Sequence, residues 1–141
     1  MSAEETVLDY YEALRRGEPL YPYFAEDDDV VKVGISDRLT GYDAIAEGLR
    51  EQSKTTDEWQ IDSRDLHVVE RDGHAAFGDD VRMQWRDTES ETTQAFDSRW
   101  SGTLEVRPSG DGETGDGTGD ESDDEWLFVG MHVSAPTALD D

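Results

Sequence analysis

The stretch AAFGDDVRMQW, residues 75–85, sets a single carboxylate among apolar side chains. In period-two alternation Phe77, Asp79, Val81, Met83 and Trp85 share one face of a strand, and Gly78, Asp80, Arg82 and Gln84 the other. An acid on an apolar face either acquires a partner or has its pKa raised by desolvation, which suits a general base. Asp79 is therefore the first catalytic candidate. Tyr11 shares a helical stripe with Val7 and Leu14, the position of a core tyrosine. Its neighbour Tyr10 cannot face the same way on a helix, so at most one of the two is expected to point inward.

The histidines offer less. His67, His74 and His132 are scattered without metal-ligand spacing, and there is no cysteine, so neither a metal site nor a disulfide is expected. No Ser-His-Asp arrangement and no phosphate-cradling glycine loop is present, and no cofactor is implied.

The elements that must position these residues can be read in order. Ser2 and Glu5 form a capping box, helical spacing runs through Val7, Leu8, Tyr11 and Leu14, and Gly17 is a C-terminal stop. EPLYPYFAEDD allows a short helix or turn, VVKVGI (30–35) a strand, SDRLTG a turn or short return strand, and residues 42–53 a further helix. From residue 58 the pattern is that of strands. EWQIDSRDLHVVE alternates imperfectly, Asp72-Gly73 centres a hairpin turn, and TQAFDSRWSGTLEVR and EWLFVGMHVSA are long strands. On the first of these two, Asp97, Arg99, Ser101, Thr103 and Glu105 oppose Phe96, Trp100, Leu104 and Val106. On the last, Trp126, Phe128, Gly130, His132 and Ser134 oppose Leu127, Val129, Met131 and Val133. Helices gathered on one face of a curved sheet give an α+β fold, one domain over residues 1–141. Residues 108–125, glycine-rich with eight acids and no base, read as a mobile hairpin-loop insertion, and 136–141 as a tail. The loop lacks the EF-hand spacing.

The 36 acids against 12 bases give a net charge of −24, and the acid is spread along the chain; only Lys32 and Lys54 are lysines. This composition is halophilic in type, because concentrated salt screens carboxylate repulsion. It argues against binding to nucleic acid or an anionic membrane. The N-terminus has acids where a signal peptide needs bases, and nothing approaches a membrane span, so a soluble cytoplasmic protein is expected.

FAEDDDVVKVG, LTGYDAIAEGLREQ, RWSGTLEV and EWLFVGMHVSAP together resemble the SnoaL-like branch of the nuclear transport factor 2-like superfamily. The ending, Trp126 followed by His132-x-Ser134-x-Pro136, is also similar to that of the calcium/calmodulin-dependent protein kinase II association domain. The resemblance implies a cone-shaped barrel of strongly curved, mainly antiparallel sheet wrapped around a long N-terminal helix, with two to three further helices and a pocket. By analogy with the kinase domain, Arg99 points into that pocket towards Asp79, either as a structural bridge or to contact a ligand. Where that domain has a pocket arginine after the histidine, this chain has Val133.

The expected pocket then comprises Tyr11, Phe77, Asp79, Trp85, Arg99, Met131 and Val133. Phe96, Trp100, Trp126, Phe128 and His132 form the expected homodimer interface, with His132 as an interfacial hydrogen-bonding group or a general base. In related isomerases a tyrosine of the first helix supplies an oxyanion hydrogen bond, a role open to Tyr11. The expected function is binding of a small amphipathic or carboxylate-bearing molecule. The alternatives are isomerase or hydrolase chemistry with Asp79 as base, and an oligomerisation module without a ligand.

Overall fold

A computed structural model of the chain describes residues 2–35, 37–108 and 124–135. The first helix, α1 (Ala3–Arg16), starts and stops where the local chemistry dictates. The Ser2 side chain accepts from the Glu5 backbone N–H, the Glu5 side chain accepts from that of Ser2, and Gly17 closes the helix at φ 71°. A 3-10 turn at Tyr21–Tyr23, holding Pro22, follows. Strands β1 (Val31–Val33) and β2 (Arg38–Thr40) form a short hairpin, and α2 (Tyr42–Thr55) buries Ile45, Ala46 and Leu49.

The remaining strands are β3 (Thr56–Ser63), β4 (His67–Arg71), β5 (His74–Asp87), β6 (Thr92–Pro108) and β7 (Asp124–Ser134). They form one seven-stranded sheet in the order β2-β1-β7-β6-β5-β3, with β4 also on β5. Only β1 and β7 run parallel among these pairs. The sheet curls over α1, which touches β3, β4 and β7, yet it does not close: the expected barrel is an open, cone-like sheet. What alternation suggested as one imperfect strand at 58–70 is two strands, both paired to the long β5.

The acidic insertion and the tail lie almost wholly outside the described residues. The strands on either side of the insertion do pair, from Arg99↔Ser134 to Pro108↔Asp124. The core lies between α1 and the concave face of the sheet. Tyr10 stands edge-on to Phe24, Trp100 and Phe128, at centroid distances of 5.9, 6.3 and 5.3 Å. Both Tyr10 and Tyr11 are buried, contrary to the expectation that one would face out. The sheet wraps far enough around α1 to cover neighbouring positions.

Candidate functional site

Asp79 does face inward, and it acquires partners. Its Oδ2 accepts hydrogen bonds from Tyr11 Oη (2.8 Å) and Ser63 Oγ (2.6 Å), and its Oδ1 accepts from the Asp65 backbone N–H (2.9 Å). The gap between β3 and β4 falls at residues 64–66, and Asp79 fills it from β5, tying the gap to α1. Burial first, and then the hydrogen bond to this carboxylate, push the Tyr11 phenol well above its usual range, so it stays a donor. The two catalytic candidates are thus brought together, but as a satisfied knot beneath the core.

Arg99 is not part of it. In the β5–β6 ladder Asp79 lies opposite Trp100, and Arg99 lies opposite Asp80. Directly opposed residues of an antiparallel pair share a face, so Arg99 is on the outer face and exposed, away from Asp79. Alternation separates the two faces of β6, but the set that holds Trp100 is the inner one, against the expectation from the kinase domain that Arg99 points into the pocket.

The expected apolar dimer surface changes with it. Trp100 and Phe128 are 5% and 0% exposed in the single chain, and Phe96 and Trp126 are half-buried against the core. His132 does face outward, exposed. What separates it from Phe128 is a bulge: Thr103 pairs with Gly130 and Leu104 with Phe128, leaving Val129 unmatched. One extra residue turns Phe128 inward on one side, and Met131 and Val133 inward on the other. The outer face of β5 and β6 carries Asp80, Arg82, Asp97 and Arg99, with Arg82 Nη1 3.2 Å from Asp97 Oδ1.

A cavity of about 160 Å³ lies beside α1, and Asp79 does not line it. Its walls come from every layer: Tyr10 and Leu14 of α1, Gln52 and Thr56 around the end of α2, Trp59 of β3, and Met83 and Trp85 of β5. Trp100, Met131 and Val133 form the back, and Lys32, Gly34 and Asp37 around the β1–β2 turn form the rim. Of the expected pocket, Trp85, Met131 and Val133 line it; Tyr11, Phe77 and Asp79 do not.

The aromatic wall is built deliberately by the backbone. The β3–β5 register slips between Asp57 and Gln60, with Glu58 at φ 57°, and this bulge presents Trp59 to the cavity. Trp59 stacks on Trp85 at 4.8 Å and 21°, while its Nε1–H donates to Thr56 Oγ1 at 2.9 Å.

Lys32 was overlooked by sequence reasoning. It sits beside Met131 in the β1–β7 register, half-buried, and lines the cavity next to Gly34, near which its amine lies. Enclosure lowers its pKa, against a smaller raising effect of Asp37. Among the described residues no carboxylate forms an ion pair with it; every such pair there uses an arginine. An ideal Cβ on Gly34 would lie 2.8 Å from Asp37 Oδ1 and 3.7 Å from Lys32 Nζ, so amine and acid flank the bare face of the glycine. The available signal was scarcity: one of two lysines in the chain stands in the middle of an apolar strand.

Among the described residues no group of histidines and acids could hold a metal ion, and no helix there is long and apolar enough to cross a membrane.

The SnoaL-like domain profile matches residues 3–110. The chain belongs to the SnoaL-like family. Solved structures extend the likeness over nearly all of it. A nuclear transport factor 2-like superfamily protein from Salmonella enterica has 18% identity and a TM-score of 0.74, over 96% of this chain and 89% of that one. A candidate scytalone dehydratase from Novosphingobium aromaticivorans has 16% identity and a TM-score of 0.73, over 96% and 83%. A candidate calcium/calmodulin-dependent protein kinase type II association domain from Thiobacillus denitrificans has 16% identity and a TM-score of 0.68, over 96% of each chain. At these identities the likeness is one of fold. No curated protein matches.

Proposed function

We propose that this SnoaL-like chain binds a small amphipathic molecule in the cavity, its apolar body against the Trp59–Trp85 stack and a carboxylate on Lys32. One observation carries the reading: in a chain with 36 acids, Lys32, which lines the cavity, makes no ion pair among the described residues. Asp37 offsets only part of the cost of enclosing the ammonium, and an anionic ligand relieves more of it. The size fits one ring, since an apolar protein cavity of about 150 Å³ holds benzene.

Two other readings gain less support. Acid–base catalysis through Asp79 would require it to give up three hydrogen-bond donors and reach a cavity it does not line. An assembly module without a ligand loses the apolar surface expected for it, since Trp100 and Phe128 are core residues.

Benzoate, titrated in molar salt against tryptophan fluorescence, tests the proposal, because Trp59, Trp85 and Trp100 line the cavity. A saturable change is expected, weakened at least about tenfold by Lys32→Met, the loss of one charge-assisted contact, and unaltered by Arg99→Ala. Equal affinity in wild type and Lys32→Met would overturn it.

A further inference from the structure

Lys32 carries a second chemistry that rests on the same cavity. We propose that its amine also captures small aromatic aldehydes covalently, as an imine, with Asp37 moving the protons.

The geometry meets the needs of that step. A lysine is nucleophilic only when neutral, and an apolar enclosure without a bound counter-ion favours the neutral form. Lys32 lines such an enclosure beside Leu14, Met83, Met131 and Val133, and burial shifts its protonation in that direction. Asp37 and Tyr10 are the other titratable groups on this cavity among the described residues. Tyr10, 2% exposed, makes no hydrogen bond among the described residues, and no fully buried side-chain oxygen or nitrogen there lacks a partner. Tyr10 is also a lining residue of the cavity. Asp37 Oδ1 and the amine lie 2.8 and 3.7 Å from the same point, the place a Cβ on Gly34 would take, so the two groups share one neighbourhood. Any β-carbon at residue 34 would sit 2.8 Å from the Asp37 oxygen and crowd the space between the two groups.

The reaction balances without an oxidant or reductant. The Nζ lone pair attacks the carbonyl carbon, and the π pair moves to oxygen. Asp37 takes a proton from nitrogen and returns it to that oxygen, giving the neutral carbinolamine. A proton taken from solvent and passed on by Asp37 lets the hydroxyl leave as water while the nitrogen lone pair forms the protonated C=N, and Asp37 then takes the remaining N–H proton and returns it to solvent. Amine and aldehyde become imine and water. A bound carboxylate would occupy the same amine and hold it protonated, so the two ligand classes exclude each other.

The chain supplies its own control, because its other lysine, Lys54, lies exposed in the last turn of α2. The full-length protein in molar salt at neutral pH is treated with benzaldehyde and sodium cyanoborohydride, and the benzylated sites are mapped by proteolysis and mass spectrometry. Lys32 should be modified at least about tenfold faster than Lys54. Benzoate should slow Lys32 and leave Lys54 unaffected. Asp37→Asn should slow Lys32 without altering Lys54, and Gly34→Ala should do the same if it folds. Equal rates at the two lysines would overturn the inference, as would an Asp37→Asn variant labelled at Lys32 as fast as wild type. If Lys32 resists labelling while benzoate still alters tryptophan fluorescence, covalent capture fails and the binding site stands. If neither ligand engages Lys32, both readings fall together.

Discussion

At the scale of single residues, Lys32 and Asp79 are solved in opposite ways. Asp79 has three donors within 2.9 Å, so its burial is compensated and its job is cohesion. Removing the Tyr11 hydroxyl leaves that carboxylate one donor short inside the core. Tyr11→Phe should cost about 1–3 kcal/mol, the usual penalty for an unmade buried hydrogen bond, read from chemical denaturation in molar salt. Lys32 is compensated only in part, by Asp37. Its folded pKa is lowered, so between that value and the ordinary 10.5 the unfolded chain binds the extra proton. Its contribution to stability therefore rises with pH through that window, and the full cost of enclosing the charge applies below it. Lys32→Met should melt at a higher temperature than wild type below the window, with the advantage shrinking as pH approaches 10.5. A variant that is more stable yet binds benzoate worse would mark this position as kept for function.

At the scale of elements, the local signals were legible and the long-range ones were not. The Ser2–Glu5 capping box, Gly17 and the Asp72-Gly73 turn each act within a few residues, and each bounds its element as read. Alternation also divided β5 and β6 into their two faces, but not β7. Which face is inside is also written in β6, whose apolar set Phe96, Trp100 and Leu104 is the inner one, and Asp79 opposite Trp100 agrees with it. Bulges are less legible, because one unmatched residue at Val129 breaks the period that places Phe128, Met131 and Val133. Gly102 shows how tight this junction is. A Cβ there would lie 2.5 Å from Gly130 O and 2.8 Å from Phe77 Cε1, the first of them backbone that cannot swing away. Gly102→Ala should therefore destabilise by about 1–3 kcal/mol, the range for overpacking, and should also disturb the cavity through neighbouring Met131. A variant with unchanged denaturation and unchanged benzoate affinity would show that β6 and β7 can part without consequence.

For the whole molecule, charge outweighs any single contact. With 36 acids against 12 bases, even complete pairing would leave 24 acids without a cation. Lowering salt acts on the molecule in two directions. It strengthens surface pairs such as Arg82–Asp97 and Arg64–Asp62, which are exposed and contribute only about 0–1 kcal/mol each. It also lengthens the Debye length from about 3 Å at 1 M to about 10 Å at 0.1 M, bringing more of the excess carboxylates within range of one another. Repulsion sums over many pairs while attraction is confined to a few, so the compact state loses on balance. The melting temperature should fall continuously as sodium chloride is reduced from molar to millimolar. Tyr11→Phe should fall in parallel with wild type, because a buried, neutral donor lies outside that screening. A melting temperature independent of salt would mean that the acids are spaced widely enough for water alone to separate them. In that case the scarcity of lysine elsewhere in the chain would say nothing of its surroundings, and Lys32 would stand out only for where it sits.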